Sequence, residues 1–149
     1  MSYSYELIGS VVNRLNTNLA DEYNGTRNGS YVFGPDQEIN FNRFMPKIQV
    51  VFNGETTVDK SQGRDFKRTK TTTISTYVYS KKGDVGSYSQ LKNRDLILYM
   101  LDKNEESLKS YNMENFSLIG VGDIEDFNYS PEHGIYYASK PFIYMRRES

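Results

Sequence analysis

Two runs of alternating residues, bracketing a polar span, restrict this chain more than any other feature. In Lys47-Ile48-Gln49-Val50-Val51-Phe52, Ile48, Val50 and Phe52 share one face of an extended strand. From Thr71 to Ser80, Ile74, Thr76 and Val78 share one face while Tyr77 and Tyr79 share the other. Thr and Tyr favour strands. Pro46 opens the first run and Asn53-Gly54 is read as its end. The span from Glu55 to Lys70 is polar, with only Val58 and Phe66 as large apolar residues. The two strands and their linker predict one long hairpin whose tip projects beyond the sheet. With no apolar face, residues 54–70 are expected to be poorly ordered in an isolated monomer and ordered in an assembly.

Residues 4–20 carry a helical period. Leu7, Ile8, Val11, Val12, Leu15 and Leu19 recur at three- and four-residue steps. This stripe is what a sheet-packing helix needs, so the helix is expected to be core. Asn24-Gly25 ends it. Residues 21–46 are turn-rich, and only Ser30 to Phe33 reads as a short strand. After the turn Lys81-Lys82-Gly83-Asp84, Ser87 and Gln90 match a capping box. They predict a helix over about 88–104 with a stripe of Leu91, Leu98 and Leu101, flanked by Ile97 and Met100. Phe116 to Val121 reads as a strand. Ile124 to Tyr129 pairs with Ile135 to Met145 through Ser130-Pro131-Glu132-His133-Gly134. Pro141 marks an edge, a bulge or a break. The order predicts an α+β fold: a mainly antiparallel sheet with two helices packed on one face and a long projecting β-hairpin. A length of 149 residues suits a single domain, 1–149.

Composition narrows the chemistry. The chain has no cysteine, which removes thiol catalysis and Cys-based zinc sites. Its one histidine, His133, cannot build a multi-His metal site. His133 lies in a predicted turn with no nucleophile spacing around it, so it reads as a surface residue rather than a general base. Apolar runs are too short to span a membrane. The opening MSYSYELIGS has no basic or long apolar region, so no secretory signal is expected. No cofactor is expected: Gly120-Val121-Gly122 lacks the third glycine and following helix of a dinucleotide site. Lys plus Arg number 18 against 19 Asp plus Glu, which is not the strongly basic balance of a dedicated nucleic-acid binder. The 13 tyrosines suit protein–protein contacts.

Two charged clusters remain. Arg64, Lys67, Arg68 and Lys70, with Phe66 among them, form the only basic one. Asp123, Glu125 and Asp126 put three carboxylates in four residues, without EF-hand spacing; they read as solvated or assembly charges rather than a metal site. The basic cluster could hold phosphate or single-stranded nucleic acid. Separated patches on a nearly neutral chain suit a self-complementary ring better, with Asp102 to Glu106 and Asp123 to Asp126 of a neighbouring copy facing the basic cluster.

Element order and local pattern together resemble the tail terminator family of tailed bacteriophages, the lambda-type tail completion proteins. The correspondence runs through the helix Tyr5 to Leu19, the proline and strand of Met45 to Phe52, the long strand Thr71 to Ser80, the helix Ser89 to Asp102 and the closing hairpin Phe127 to Arg146. The resemblance implies a non-enzymatic virion protein, assembled in the host cytoplasm. Such proteins form a ring, usually a hexamer, on the head-proximal end of the tail tube. The ring ends tube polymerisation and docks the head connector or stopper protein, while genomic DNA passes through its lumen without specific binding. Another neck or head-completion protein, such as a stopper or adaptor, or a minor tail protein is the nearest alternative. A small nucleic-acid module or an α+β enzyme lies further off.

Overall fold

The computed structural model describes residues 3–19, 32–34, 47–62, 65–81 and 93–146. The readings placed on Asn24-Gly25 and on the Ser87–Gln90 capping box lie outside them. In chain order the elements are α1 (Tyr3–Leu19), β1 (Val32–Phe33), β2 (Lys47–Gln62), β3 (Asp65–Lys81), α2 (Asn93–Lys109), β4 (Phe116–Val121), β5 (Glu125–Ser130) and β6 (Ile135–Arg146). The strands join in one sheet ordered β1-β2-β3-β6-β4, with β5 paired to β6 next to the end of β4. Every pairing is antiparallel except the two-residue parallel match of β1 to β2. The fold is therefore α+β, with a mainly antiparallel sheet.

Register explains the core. Ile48, Val78 and Ala138 lie side by side across β2, β3 and β6, and Phe52, Ile74 and Phe142 form a parallel row. All but Phe52 are buried, on the face that meets both helices. From α1 come Leu7, Ile8, Val11 and Leu15; from α2 come Leu96, Ile97, Met100, Leu101 and Leu108. The helix α1 is thus the core helix its period predicts, with the Leu19 side chain outside the described set. Arg14 ties the helices together. Its Nε donates to the Ser107 carbonyl at 3.3 Å, Nη2 donates to Ser110 Oγ at 3.1 Å, and the guanidinium lies 5.0 Å from the Tyr111 ring centre. A cation here meets the negative, carbonyl end of α2.

The second helix corrects the sequence reading. It is described from Asn93 and continues to Lys109, five residues past the expected end. Its buried stripe passes through Asn104 and Ser107, both polar and both within 1% of full burial. Those residues interrupt an apolar count without interrupting the helix.

The long projecting hairpin is present, but the span read as its linker needs correction. Its arms are strands, not a linker: β2 and β3 stay paired from Lys47↔Tyr79 to Gln62↔Asp65. Backbone pairing needs no apolar face, so a polar span can form a ladder with no alternation in its sequence. Asn53-Gly54 does not end β2. Asn53 is the extra residue of a bulge between Phe52 and Gly54, and its Nδ2 donates to Ser75 Oγ. A bulge bends its strand and shifts the alternation by one residue. The last partner of β3 in β6 is Met145, opposite Thr71. The six pairs from Thr57↔Lys70 to Gln62↔Asp65 therefore have no third strand among the described residues. They form a two-stranded arm about 20 Å long.

Pro141 sits in an internal strand, between β3 on one side and β4 and β5 on the other. Its carbonyl accepts from Gly122 N at 2.9 Å, so its missing donor points to the same side. There the neighbouring strand changes from β4 to β5, and no ladder bond is lost. Gly122 is required by the same contact, since a Cβ on it would lie 2.4 Å from Pro141 Cγ. Gly122→Ala is expected to lower stability by about 1–3 kcal/mol, read as a reduced urea midpoint. An unchanged midpoint would show that the ring yields.

Candidate functional site

The arm is the first of two surfaces brought out by the fold. Phe66, Lys67 and Arg68 lie on its β3 strand; their side chains, and Arg64 altogether, fall outside the described residues. The ladder sets Arg68 opposite Asp59 but Lys67 opposite Lys60. Like charges directly opposite oppose pairing. Lys70, at the arm's base, is exposed, with Nζ 3.5 Å from Glu55 Oε1. Over residues 60–70 the chain carries Lys60, Arg64, Lys67, Arg68 and Lys70 against Asp65 alone.

The second surface is the sheet edge made by β4, the link 122–124 and β5. The three grouped carboxylates are divided there: Asp123 lies in the link, while Glu125 and Asp126 open β5. Asp123 and Glu125 are exposed and form no ion pair among the described residues. The Asp126 side chain is outside the description. From residue 110 to 139 the sequence has no Lys or Arg, and carries Glu114, Asp123, Glu125, Asp126 and Glu132.

This edge is also apolar, which the sequence analysis did not single out. Five large hydrophobic side chains are exposed among the described residues: Phe52, Ile119, Ile124, Phe127 and Tyr129. Four of them lie on β4, the link or β5. Ile119 projects because it is the extra residue of a bulge between Leu118 and Gly120. Phe127 and Tyr129 flank Tyr136, with ring centres 5.7 and 4.6 Å away. The legible signal was the absence of any cation from 110 to 139; the alternation in β5 itself looks like that of a core strand.

Of the acidic run Asp102 to Glu106, expected to face a neighbour's basic cluster, Glu105 and Glu106 are engaged at home, while Asp102 is exposed with no ion pair among the described residues. Glu105 Oε1 lies 3.4 Å from Lys140 Nζ and 3.6 Å from Lys109 Nζ, and Glu106 Oε2 lies 3.2 Å from Lys103 Nζ. Asp123 and Glu125 keep no such partner among the described residues.

β4 pairs with the end of β6 nearest the arm, but β5 lies toward the opposite end of the sheet. Residues Ile135 to Ser139, which carry β5, pair with Tyr77 to Lys81 of β3, whereas the arm begins at Lys70. About 40 Å of strand separates Lys67 from Tyr79. A chain cannot bring its own arm to its own β5 without unzipping the sheet.

Away from the helices, Tyr77, Tyr79 and Tyr137 form a row, with ring centres 6.2 and 6.0 Å apart. Tyr79 OH donates to Gln49 Oε1 at 3.0 Å. Burial, then the repulsion its anion would meet from Tyr77 and Tyr137, pushes the Tyr79 hydroxyl up to about 12. The folded chain holds this proton to higher pH than the unfolded chain. Stability is therefore expected to fall as pH rises from about 10 to about 12. In Tyr79→Phe that fall in melting temperature is expected to be shallower; an identical fall would contradict the assignment.

Two cavities offer other chemistry. One, of about 220 Å³, is lined by Glu6, Ser10 and residues 111–116, and Glu6 Oε1 accepts from Asn115 Nδ2 at 3.1 Å. That hydrogen bond occupies the one carboxylate a turn from Ser10. The other, about 390 Å³, is lined by Glu105, Lys109 and β4, and its charges are the pair already described. His133 is exposed in the turn before Gly134, whose φ of +64° and N–H to Ser130 carbonyl bond of 2.9 Å close the β5–β6 hairpin. Among the described residues no three His, Cys, Asp or Glu side chains gather as a metal site would require. No protein-family model matches the chain, and no curated protein matches it.

Proposed function

We propose that this chain is a non-enzymatic structural protein that forms a ring at a phage head–tail junction, capping the tail tube and docking it to the head connector or stopper. The observation that carries the reading is a cationic arm that extends from one end of the sheet while the acidic strand β5 lies toward the other. Different patches that complement each other give a heterologous, head-to-tail contact, and such contacts close into rings when the rotation permits. A ring whose one face copies the end of the tube, and whose other face does not, ends a stack. The resemblance in element order supplies the place in the particle; the ring would be a hexamer.

Adding the purified chain to tail tube protein during polymerisation is expected to shorten the tubes and leave a ring on one end of each. An unchanged length distribution with bare ends would contradict the capping role. Genomic DNA passing through the lumen must slide, so weak contact is expected. Arg64, Lys67, Arg68 and Lys70 can release only a few counterions, giving modest affinity lost on raising salt. Binding of a short duplex is expected at low salt only. Submicromolar binding that survives physiological salt, and is abolished by neutralising those four residues, would favour a nucleic-acid module instead.

A further inference from the structure

We infer that the edge formed by β4, the link 122–124 and β5 is the docking surface for the hairpin arm of a second copy of this chain. The inference rests on the ring reading and names the contact that closes it. Charge supplies the first argument: the cationic segment 60–70 and the cation-free segment 110–139 have opposite sign, and β5, at the far end of the sheet from the arm, cannot meet that arm within one chain. Apolar surface supplies the second. Ile119, Ile124, Phe127 and Tyr129 cluster along a single edge rather than scattering, which marks an interaction surface.

The mode of contact also follows. Bulges at Ile119 and between Glu125 and Asn128 break this edge into short runs, so a continuous added strand does not fit. Docking is through side chains. The exposed rings of Phe127 and Tyr129, with carboxylates beside them, suit a segment that carries one aromatic residue among several cations. Asp65-Phe66-Lys67-Arg68 has that composition. The like-charge pair Lys60↔Lys67, unfavourable in an isolated arm, gains a counter-charge on docking.

The chain has no cysteine, so engineered thiols report cleanly. Ser61→Cys on the arm and Asn128→Cys on β5 would be combined in one chain and treated with a short bis-maleimide. A ladder of covalent multimers, ending at the subunit number of the ring, is expected on a denaturing gel, while each single variant stays monomeric. Dimers from Ser61→Cys alone would overturn the inference, because arm would then meet arm. So would a double variant that assembles by native mass yet does not cross-link; the ring reading would survive that result. If the chain stays monomeric by native mass even with tube protein present, and does not cross-link, both fail. As a second measurement, Lys67→Glu with Arg68→Glu is expected to weaken assembly at least about tenfold. Adding Glu125→Lys and Asp126→Lys to the same chain should restore it. Failure of the swap to restore assembly would reject this edge as the acceptor.

Discussion

Phe142→Ala is expected to cost about 3–5 kcal/mol of folding stability. Phe142 is fully buried on β6, opposite Ile74 of β3 on one side and Val121 of β4 on the other. Its ring belongs to the same core as Leu7 and Leu15 of α1 and Met100 and Leu101 of α2. Truncation removes a transfer term and leaves a cavity that two helices and three strands cannot all collapse into. Against a typical stability of about 5–15 kcal/mol, the loss is a large fraction. Urea unfolding followed by circular dichroism measures it. A loss under about 1 kcal/mol would mean that the helices do not close on β6 as described.

Removal of the arm should have the opposite profile: a small effect on folding and a complete effect on assembly. Residues 57–70 would be replaced by Asn-Gly, joining Thr56 to its partner Thr71 through a two-residue turn. The six deleted pairs touch no third strand among the described residues, and a two-stranded ribbon is at best marginally stable. The melting temperature is expected to stay within a few degrees of the parent, while the multimer disappears. Persistence of the multimer without the arm would show that other surfaces hold the ring. Loss of folding would show that the arm packs where the ladder places none.

Legibility in the sequence followed solvation. Ile48, Val50, Ile74 and Val78 are buried on one face and solvated or aromatic on the other, so their alternation marks strands at once. The stripe Leu7, Ile8, Val11 and Leu15 marks α1 for the same reason. Asn104 and Ser107 hid the end of α2, because burial of polar side chains leaves no trace in an apolar period. Thr57 to Gln62 and Asp65 to Lys70 hid as strands because they pair outside the sheet. Pro141 resolved only through its neighbour, where β4 hands over to β5. Of the candidate contact residues, the basic cluster was visible as composition. The apolar half of the acidic edge was not, since nothing in the sequence shows that Phe127 and Tyr129, beside Tyr136, lie on an edge strand and stay exposed.

The most direct test of the central claim is imaging of the phage particle that contains this chain, at a resolution sufficient to fit its sheet and two helices. A closed ring of copies, six in number, is expected at the head-proximal end of the tail tube, with each arm reaching the β5 edge of the next subunit. One isolated copy per particle, or none at the junction, would contradict the account.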